Sequence, residues 1–283
     1  MTMKVHVLKA GEVRVSPYLP FGGENCGMLK AAGFTTPKSK WIWVPAFCYL
    51  IEHPKGKILV DTGWHRDMSP NGEYDKQAQI RSLGSRLLYM STQGKLPKGA
   101  AISEQLADMG ISPSDLDYVI LTHLDSDHAN GLKLVADAKH ILTSADEMKG
   151  AQGGDLFNRI RHQRRWWEGT KISTFDWNAE EGPVQQSYDL FGDGSISLVK
   201  IPGHSLGMVA VKIQNPEGRF VLLTSDGGYA ERSWRDMVVS GVALDRSAQR
   251  KSLEWIRKQS LLDKCIEVLA THDTGKKPHV IEF

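Results

Sequence analysis

The chain has 283 residues, enough to bury a large core in one α/β domain or two smaller ones. Its hydrophobic fraction of 41% and charged fraction of 24% are those of an ordinary globular protein. The formal net charge of +2 favours neither a nucleic-acid nor a membrane partner, and no apolar run is long enough to span a bilayer. With no signal-peptide core at the start and three cysteines at unrelated spacings, we expect a cytoplasmic protein with reduced thiols.

The first half of the chain begins with strand signals. KVHVL and VRV flank Ala10-Gly11, where we predict a tight turn, and FCYLIEHPKGKILVDTG predicts a hairpin about Pro54-Lys55-Gly56. The polar stretch from 74 to 89 carries apolar residues at helical spacing, and a second, short helix should end near Gly110. A short strand is predicted over 118–121.

The rest of the chain alternates helices and strands around one irregular segment. We predict a helix over 129–138, a strand over 140–143 and a helix capped by the Ser144-x-x-Glu147 pattern. Residues of about 151–183 form an irregular, tryptophan-rich insertion. Later elements follow in this order: the strand in SISLVKIPGH, the hairpin of MVAVKI and RFVLLTSD, a helix over 247–264 and the strand in CIEVLATHD. We therefore expect one domain, 1–283, of two β-rich halves with helices outside.

Metal-binding side chains follow four of these predicted strands. The strands deliver, in chain order, His123, His204, Asp226 and His272. The hexapeptide HLDSDH at 123–128 adds Asp125, Asp127 and His128 to the first of them. Because functional groups in α/β folds collect at the carboxyl ends of strands, these side chains should converge. Histidine and aspartate together suit a divalent ion such as zinc, manganese or iron.

This order of residues resembles the metallo-β-lactamase superfamily, whose signature is H-x-H-x-D-H followed by a distant His, Asp and His. The match extends over nearly the whole chain, through ILVDTG (with Asp61 as the usual acid behind the ligands), PGHSLG, SDGGY and THD. Within the superfamily the chain most resembles the N-acyl homoserine lactonases. VPAFCYLIEHPKGKILVDTG and Tyr229, three residues after Asp226, carry that narrower likeness.

The resemblance implies an αββα sandwich with a two-metal site at one edge. Metal 1 would be held by His123, Asp125 and His204, metal 2 by Asp127, His128 and His272, and Asp226 would bridge them. Two divalent ions, zinc first and manganese or iron as alternatives, would share a hydroxide that opens the ring of a small-molecule lactone. Tyr229 would stabilise the oxyanion, and Asp127 would pass a proton to the leaving alkoxide. The resemblance does not decide whether the protein forms a homodimer.

Asp125 departs from the family pattern, which usually has histidine there. A carboxylate adds negative charge and favours a harder ion, manganese or iron over zinc. Its shorter reach leaves three arrangements open: a complete two-metal site, a weak or empty metal 1, or an Asp125 outside the site. We expect the first, with Asp125 as a ligand of metal 1.

Other functions are also compatible with parts of the sequence. GHSLG matches a nucleophile elbow, and Ser205, Asp226 and His272 have the chain order of a serine-hydrolase triad, although only 21 positions separate the first two. NRIRHQRRWW at 158–167 would suit a nuclease, but it equally describes a solvated helix face over two packed tryptophans. A glyoxalase II-like thioesterase would share the metal core, whereas a non-catalytic scaffold would need an incomplete ligand set.

Two further sets of residues have weaker assignments. The tryptophans are candidates for an apolar acyl-chain pocket or for ordinary core: Trp41, Trp43, Trp64, Trp166 and Trp167. Five other histidines lack ligand partners at a convincing spacing and are expected to be surface or satisfied polar groups: His53, His65, His140, His162 and His279.

Overall fold

A computed structural model describes residues 2–153 and 156–283. Its strands are β1 Lys4–Val15, β2 Ile42–His53, β3 Gly56–Val60, β4 Gln93–Lys95, β5 Tyr118–Ile120, β6 His140–Ser144, β7 Ser173–Phe175, β8 Ser187–Asp189, β9 Ile196–Lys200, β10 Val209–Gln214, β11 Phe220–Leu223, β12 Cys265–Leu269 and β13 Val280–Glu282. Its α-helices are α1 Tyr18–Phe21, α2 Met28–Ala31, α3 Lys76–Leu83, α4 Arg86–Ser91, α5 Ile102–Asp108, α6 Ser126–Ala129, α7 Ala145–Ala151, α8 Leu156–Arg161, α9 Glu231–Arg235 and α10 Arg246–Ser260.

The strands form two sheets. The first has the order β13-β1-β2-β3-β5-β6-β7, with β4 also paired to β1, and the second has the order β12-β11-β10-β9-β8. From β3 to β7 the pairs of the first sheet are parallel, as is β11 with β12 in the second, so these strands end at a common edge. The remaining pairs are antiparallel, including the predicted hairpins β2–β3 and β10–β11.

Apolar side chains from alternate strand positions fill the space between the sheets. The first sheet contributes Val5, Val7, Phe47, Tyr49, Ile51, Ile58 and Val60, and the second Ile196, Leu198, Val209, Val211, Ile213, Val221 and Leu223. A second apolar cluster joins the outer face of the first sheet to α3, α4 and α5, and a third joins the second sheet to α9 and α10. This order of layers is the αββα sandwich predicted from the sequence.

The predicted turn at Ala10-Gly11 is wrong, because β1 is one continuous strand. Its pairing with β2 shifts register between Lys9 and Glu12, which marks a β-bulge. Gly11 has φ +104°, and a Cβ there would lie 2.7 Å from the carbonyl oxygen of Lys95. Glycine thus bends the strand without ending it, since the long β2 keeps pairing on both sides of the bulge.

Helical segments also differ from the sequence prediction. The predicted helix over 74–89 is two helices, because Gly84 adopts the left-handed conformation at the end of α3 and Ser85 caps α4. The helix predicted over 129–138 is wrong: α6 ends at Ala129, and only a 3-10 turn over Leu132–Val135 follows. Within residues 2–153 and 156–283, no helix combines the length and apolar character needed to cross a bilayer.

The segment of about 151–183 is more regular than expected. It contains α8, a 3-10 turn over Arg164–Trp166 and β7, which extends the first sheet beside β6. Trp166 and Trp167 are buried against the outer face of that sheet. The segment is therefore packed onto the fold, and this packing places α8 close to the strand ends.

Ile51 tests the inter-sheet core. We expect Ile51→Ala, at a fully buried position, to lower the free energy of unfolding by about 2–5 kcal/mol through lost burial and a residual cavity. Leu261→Ala is the control, because this side chain is 75% exposed and should change stability by less than about 0.5 kcal/mol. Urea denaturation followed by circular dichroism measures both, and equal effects would contradict the assigned core.

Candidate metal centre

All seven predicted ligands lie together where strands of the two sheets end. His123 follows β5 of the first sheet, and β9, β11 and β12 of the second lead to His204, Asp226 and His272. The first turn of α6 adds Asp127 and His128. The ligand atoms fall into three overlapping groups, each spanning no more than 4.8 Å: His123, Asp125 and His204; His123, His128 and Asp226; Asp127, His128 and His272. The expected convergence is present.

Each histidine of the cluster is held from behind through Nδ1. His128 Nδ1 donates to Asp61 Oδ2 (2.7 Å), and His272 Nδ1 donates to the carbonyl oxygen of Pro45 (2.7 Å). His123 Nδ1 lies 3.1 Å from Thr122 Oγ1. His204 Nδ1 lies 3.4 Å from the Tyr229 hydroxyl. The Nε2 atoms are thereby left facing one another across the cluster, the orientation that second partners give to metal-binding imidazoles.

The donor atoms fit divalent cations. His123 Nε2, His128 Nε2 and Asp226 Oδ1 are buried and make no hydrogen bond. Asp226 Oδ1 lies 3.3 Å from His128 Nε2 and 3.1 Å from His272 Nε2. Ligands of a tetrahedral zinc ion are about 3.3 Å apart, so these spacings suit an ion between them. Buried polar atoms without partners are rare, and here they converge on common points.

The charges of the cluster also favour the binding of cations. Burial would lower the pKa of His128 and His272, but Asp226 and the neighbouring carboxylates raise both above the ordinary histidine value. Burial would raise the pKa of Asp226, yet His272 and His128 hold it well below its usual range. Asp226 thus remains ionised and draws positive charge to His128 and His272. Metal ions can supply that charge in place of protons.

Asp125 lies inside the cluster and pairs with an arginine that the sequence analysis missed. Arg161 Nε donates to Asp125 Oδ1 (2.5 Å) and Arg161 Nη2 donates to Oδ2 (2.8 Å). His162, expected to be a surface or satisfied group, is buried with its Nε2 3.3 Å from Asp125 Oδ1. Burial opposes ionisation of Asp125, but the positive charge of Arg161 keeps the pKa of this carboxyl well below the usual value.

The geometry contradicts the serine-hydrolase interpretation. Ser205 is buried, and its hydroxyl donates to Glu147 Oε2 at 2.6 Å instead of to a histidine. Glu147 also accepts hydrogen bonds from the backbone N–H groups of Leu124 and Gly207. Glu147 therefore connects the two loops that carry the ligands, and both of its carboxylate oxygens accept hydrogen bonds from them.

An apolar cavity of about 230 Å³ adjoins the cluster. Its polar end is formed by Asp125, Asp127, Arg161, His204, Asp226, Tyr229 and His272. Its apolar wall is formed by Val13, Val15, Leu19, Met28, Ala32, Phe34, Val44, Leu87, Leu88, Ile160 and Val242. None of the five candidate tryptophans lines it: Trp43 is partly exposed, and the other four are buried elsewhere. The apolar wall of this cavity therefore consists of aliphatic side chains, one methionine and one phenylalanine instead of tryptophans.

Two further predicted residues stand at the polar end of the cavity. Tyr229 is 3% exposed and stacks on His272, with ring centroids 5.2 Å apart. Burial and the carboxylate of Asp226 raise its pKa well above 10, so its hydroxyl stays protonated and can donate a hydrogen bond. Asp127 Oδ2 lies 3.3 Å from His272 Nε2 and borders the same space.

Residues 41–272 match the family model described as the metallo-beta-lactamase superfamily. The chain belongs to this superfamily. The N-acyl homoserine lactonase AiiB of Agrobacterium fabrum is 26% identical over 291 aligned positions, covering 96% of this chain and 94% of that protein.

Solved structures of lactonases share the fold. An N-acyl homoserine lactone hydrolase with N-hexanoyl-L-homoserine at its catalytic metal centre has a TM-score of 0.71 at 22% identity, covering 96% of this chain and 94% of that one. AidC, a dizinc quorum-quenching lactonase, has a TM-score of 0.63 at 14% identity, covering 96% and 88%. The fold and family predicted from the sequence are confirmed.

Arg161 and His162 border the candidate centre, and only an indirect signal in the sequence points to them. Asp125 adds a negative charge that a cation must balance, and the run at 158–165 contains four arginines. The other arginines of that run, Arg159, Arg164 and Arg165, are exposed. The basic run thus contains one largely buried arginine, Arg161, among exposed ones.

Metal content tests the centre directly. We expect protein made in metal-replete medium to hold divalent metal at the seven residues, and stripping with a chelator should lower its melting temperature, because like charges and unpaired donors would then face one another. Elemental analysis and a thermal melt measure the two effects. Less than about half an ion per chain would contradict a metal centre.

Proposed function

We propose that the protein is a metal-dependent hydrolase that opens the ring of an N-acyl homoserine lactone. The observation that carries this proposal is the continuity between the donor cluster and the apolar cavity. A lactone head can reach the donor atoms while an acyl chain lies along the aliphatic wall. The AiiB relative and the product-bound lactone hydrolase support the same substrate class.

The proposed ligand set divides into two halves. Half-site 1 comprises His123 Nε2, Asp125 Oδ2 and His204 Nε2, and half-site 2 comprises Asp127, His128 Nε2 and His272 Nε2. Asp226 reaches both, since Oδ2 lies 3.6 Å from His204 Nε2 while Oδ1 faces His128 and His272. Zinc is the first candidate, supported by the dizinc neighbour, and manganese or iron are the alternatives that the extra carboxylate favours.

Bound divalent ions would supply Lewis-acid polarisation of the lactone carbonyl and lower the pKa of water, the attacking nucleophile. Tyr229 would donate its hydroxyl proton in a hydrogen bond to the carbonyl oxygen as negative charge develops there. Asp127, at the mouth of the same space, would take up a proton and return it to the departing alkoxide oxygen. The aliphatic wall would orient the acyl chain and exclude water from the reacting end.

Other hydrolases of this superfamily remain the alternative class. A thioester would present the same acyl-carbonyl geometry to the donor cluster, so a thioesterase is the nearest rival. A nuclease receives less support, because Arg159, Arg164 and Arg165 do not line the cavity. The mostly aliphatic wall is poorly suited to a polyanionic backbone.

A substrate panel tests the function. We expect turnover of N-acyl homoserine lactones, with longer acyl chains preferred because they bury more apolar surface against the cavity wall. Proton release followed at constant pH measures ring opening, and chelated protein with and without added zinc or manganese provides the control. Hydrolysis of thioesters or phosphodiesters with no turnover of any lactone would move the assignment to those classes.

Tyr229 tests the proposed oxyanion contact. We expect Tyr229→Phe to lower kcat by about 10²-fold while leaving metal content unchanged, because only a hydrogen-bond donor is lost. Tyr188→Phe is the matched control, since Tyr188 lies on β8 and does not line the cavity. An unchanged kcat, or loss of metal in Tyr229→Phe, would show that the hydroxyl has a different role.

A further inference from the structure

Arg161 enters the candidate metal centre from α8 and makes four polar contacts there. Its Nε donates a hydrogen bond to Asp125 Oδ1 at 2.5 Å, and its Nη2 donates one to Asp125 Oδ2 at 2.8 Å. Nη1 donates to the carbonyl oxygen of His204 at 3.1 Å, and Nη2 lies 2.8 Å from His204 Nε2. The side chain is only 10% exposed. This is a built, buried contact, in contrast to the solvated arginines around it.

Two of these contacts fall on atoms of half-site 1. Arg161 Nη2 touches both Asp125 Oδ2 and His204 Nε2, which are themselves 2.9 Å apart. An imidazole nitrogen has one lone pair in the plane of its ring. With the proton of His204 on Nδ1, which faces the Tyr229 hydroxyl, Nε2 can give that pair to the N–H of Arg161 or to a metal ion, but not to both. The guanidinium and an ion therefore compete for the same donor.

The two halves of the centre differ in this respect. In the part of the chain that the structure describes, Asp127 and Asp226 make ion pairs with histidines alone. Asp125 is the carboxylate that has an arginine partner. The carboxylates of half-site 2 thus face only imidazoles, whose charge depends on protons that a metal ion can replace, whereas half-site 1 holds the permanent charge of an arginine. The charge added by aspartate at position 125 is matched by the charge of Arg161.

We propose that Arg161 is the resident cation of half-site 1 and must withdraw from His204 before an ion can bind there. The centre then loads in two steps, with half-site 2 filled tightly and half-site 1 filled only at higher metal concentration. This inference rests on the ligand set proposed above. Under this proposal the centre does not hold two ions at all metal concentrations, because the second ion binds only after Arg161 has withdrawn.

Metal titration of the full-length chain tests the competition. Chelated protein is titrated with Co²⁺, with calorimetry giving the number and affinity of ions and the visible absorption of Co²⁺ reporting each ligand environment. We expect the wild type to bind one ion tightly and a second at least about tenfold more weakly, because binding the second breaks a charge-assisted hydrogen bond. Arg161→Met should tighten the second ion by about tenfold or more and leave the first unchanged.

Three matched variants separate the explanations. Arg159→Met removes an exposed arginine from the same helix and should leave both affinities as in the wild type. Arg161→Lys keeps the charge but lacks the planar fork, so it should tighten the second ion nearly as much as Arg161→Met. If Arg161→Met does not fold, because Asp125 is left without its partner, the double variant Asp125→His/Arg161→Met removes both charges, and it should hold two tight ions.

The outcomes also separate this inference from the proposed function. Two equally tight ions in the wild type, with no change in Arg161→Met, would overturn the competition and leave the metal centre intact. A lysine variant that behaves as wild type while the methionine variant binds more tightly would overturn competition for the lone pair and leave only a charge effect. Absence of any bound Co²⁺ in the wild type would instead overturn the metal-dependent function itself.

Discussion

Three carboxylates share a buried edge of the molecule, and the rest of the site is arranged around the positive charge that they require. Removing an ionised carboxylate from water costs several kcal/mol unless a cation or several hydrogen bonds compensate it. Asp125 is compensated by Arg161, whereas Asp127 and Asp226 face imidazoles. The imidazoles neutralise them only by taking up protons, so divalent ions at this edge could supply the same charge in exchange for protons.

The fold holds these groups rigidly at some cost in backbone energy. Asp61 (φ +58°) and Ser225 (φ +47°) adopt left-handed conformations that ordinarily cost non-glycine residues about 1–3 kcal/mol each. Each contacts a ligand from its strained position: Asp61 accepts a hydrogen bond from His128, and the Ser225 hydroxyl lies 3.3 Å from His123 Nδ1. Strain concentrated behind the ligands fixes which imidazole nitrogen faces the centre.

The sequence predicted features that depend on local pattern and on strand ends. His123, His204, Asp226 and His272 could be placed together because each follows an apolar run, and strand ends of an α/β fold share an edge. Gly11 was misread because a glycine bulge and a glycine turn have the same local signal, and only pairing with β2 distinguishes them. The aliphatic cavity wall was missed because it comes from six separate helices and strands and from loops between them, which no local pattern links.

Arg161 shows a different limit, because its burial depends on a partner 36 positions earlier in the chain. Its neighbour Ile160 lines the apolar wall, so two consecutive residues of α8 serve the cavity and the centre. Arg161 itself borders the cavity, and under the proposed competition an ion entering half-site 1 displaces its side chain. Linkage then requires the converse: a molecule in the cavity that binds one position of Arg161 more tightly would shift the metal affinity of half-site 1 by the same free energy. Under that proposal, occupation of the cavity and loading of the second ion are coupled through Arg161.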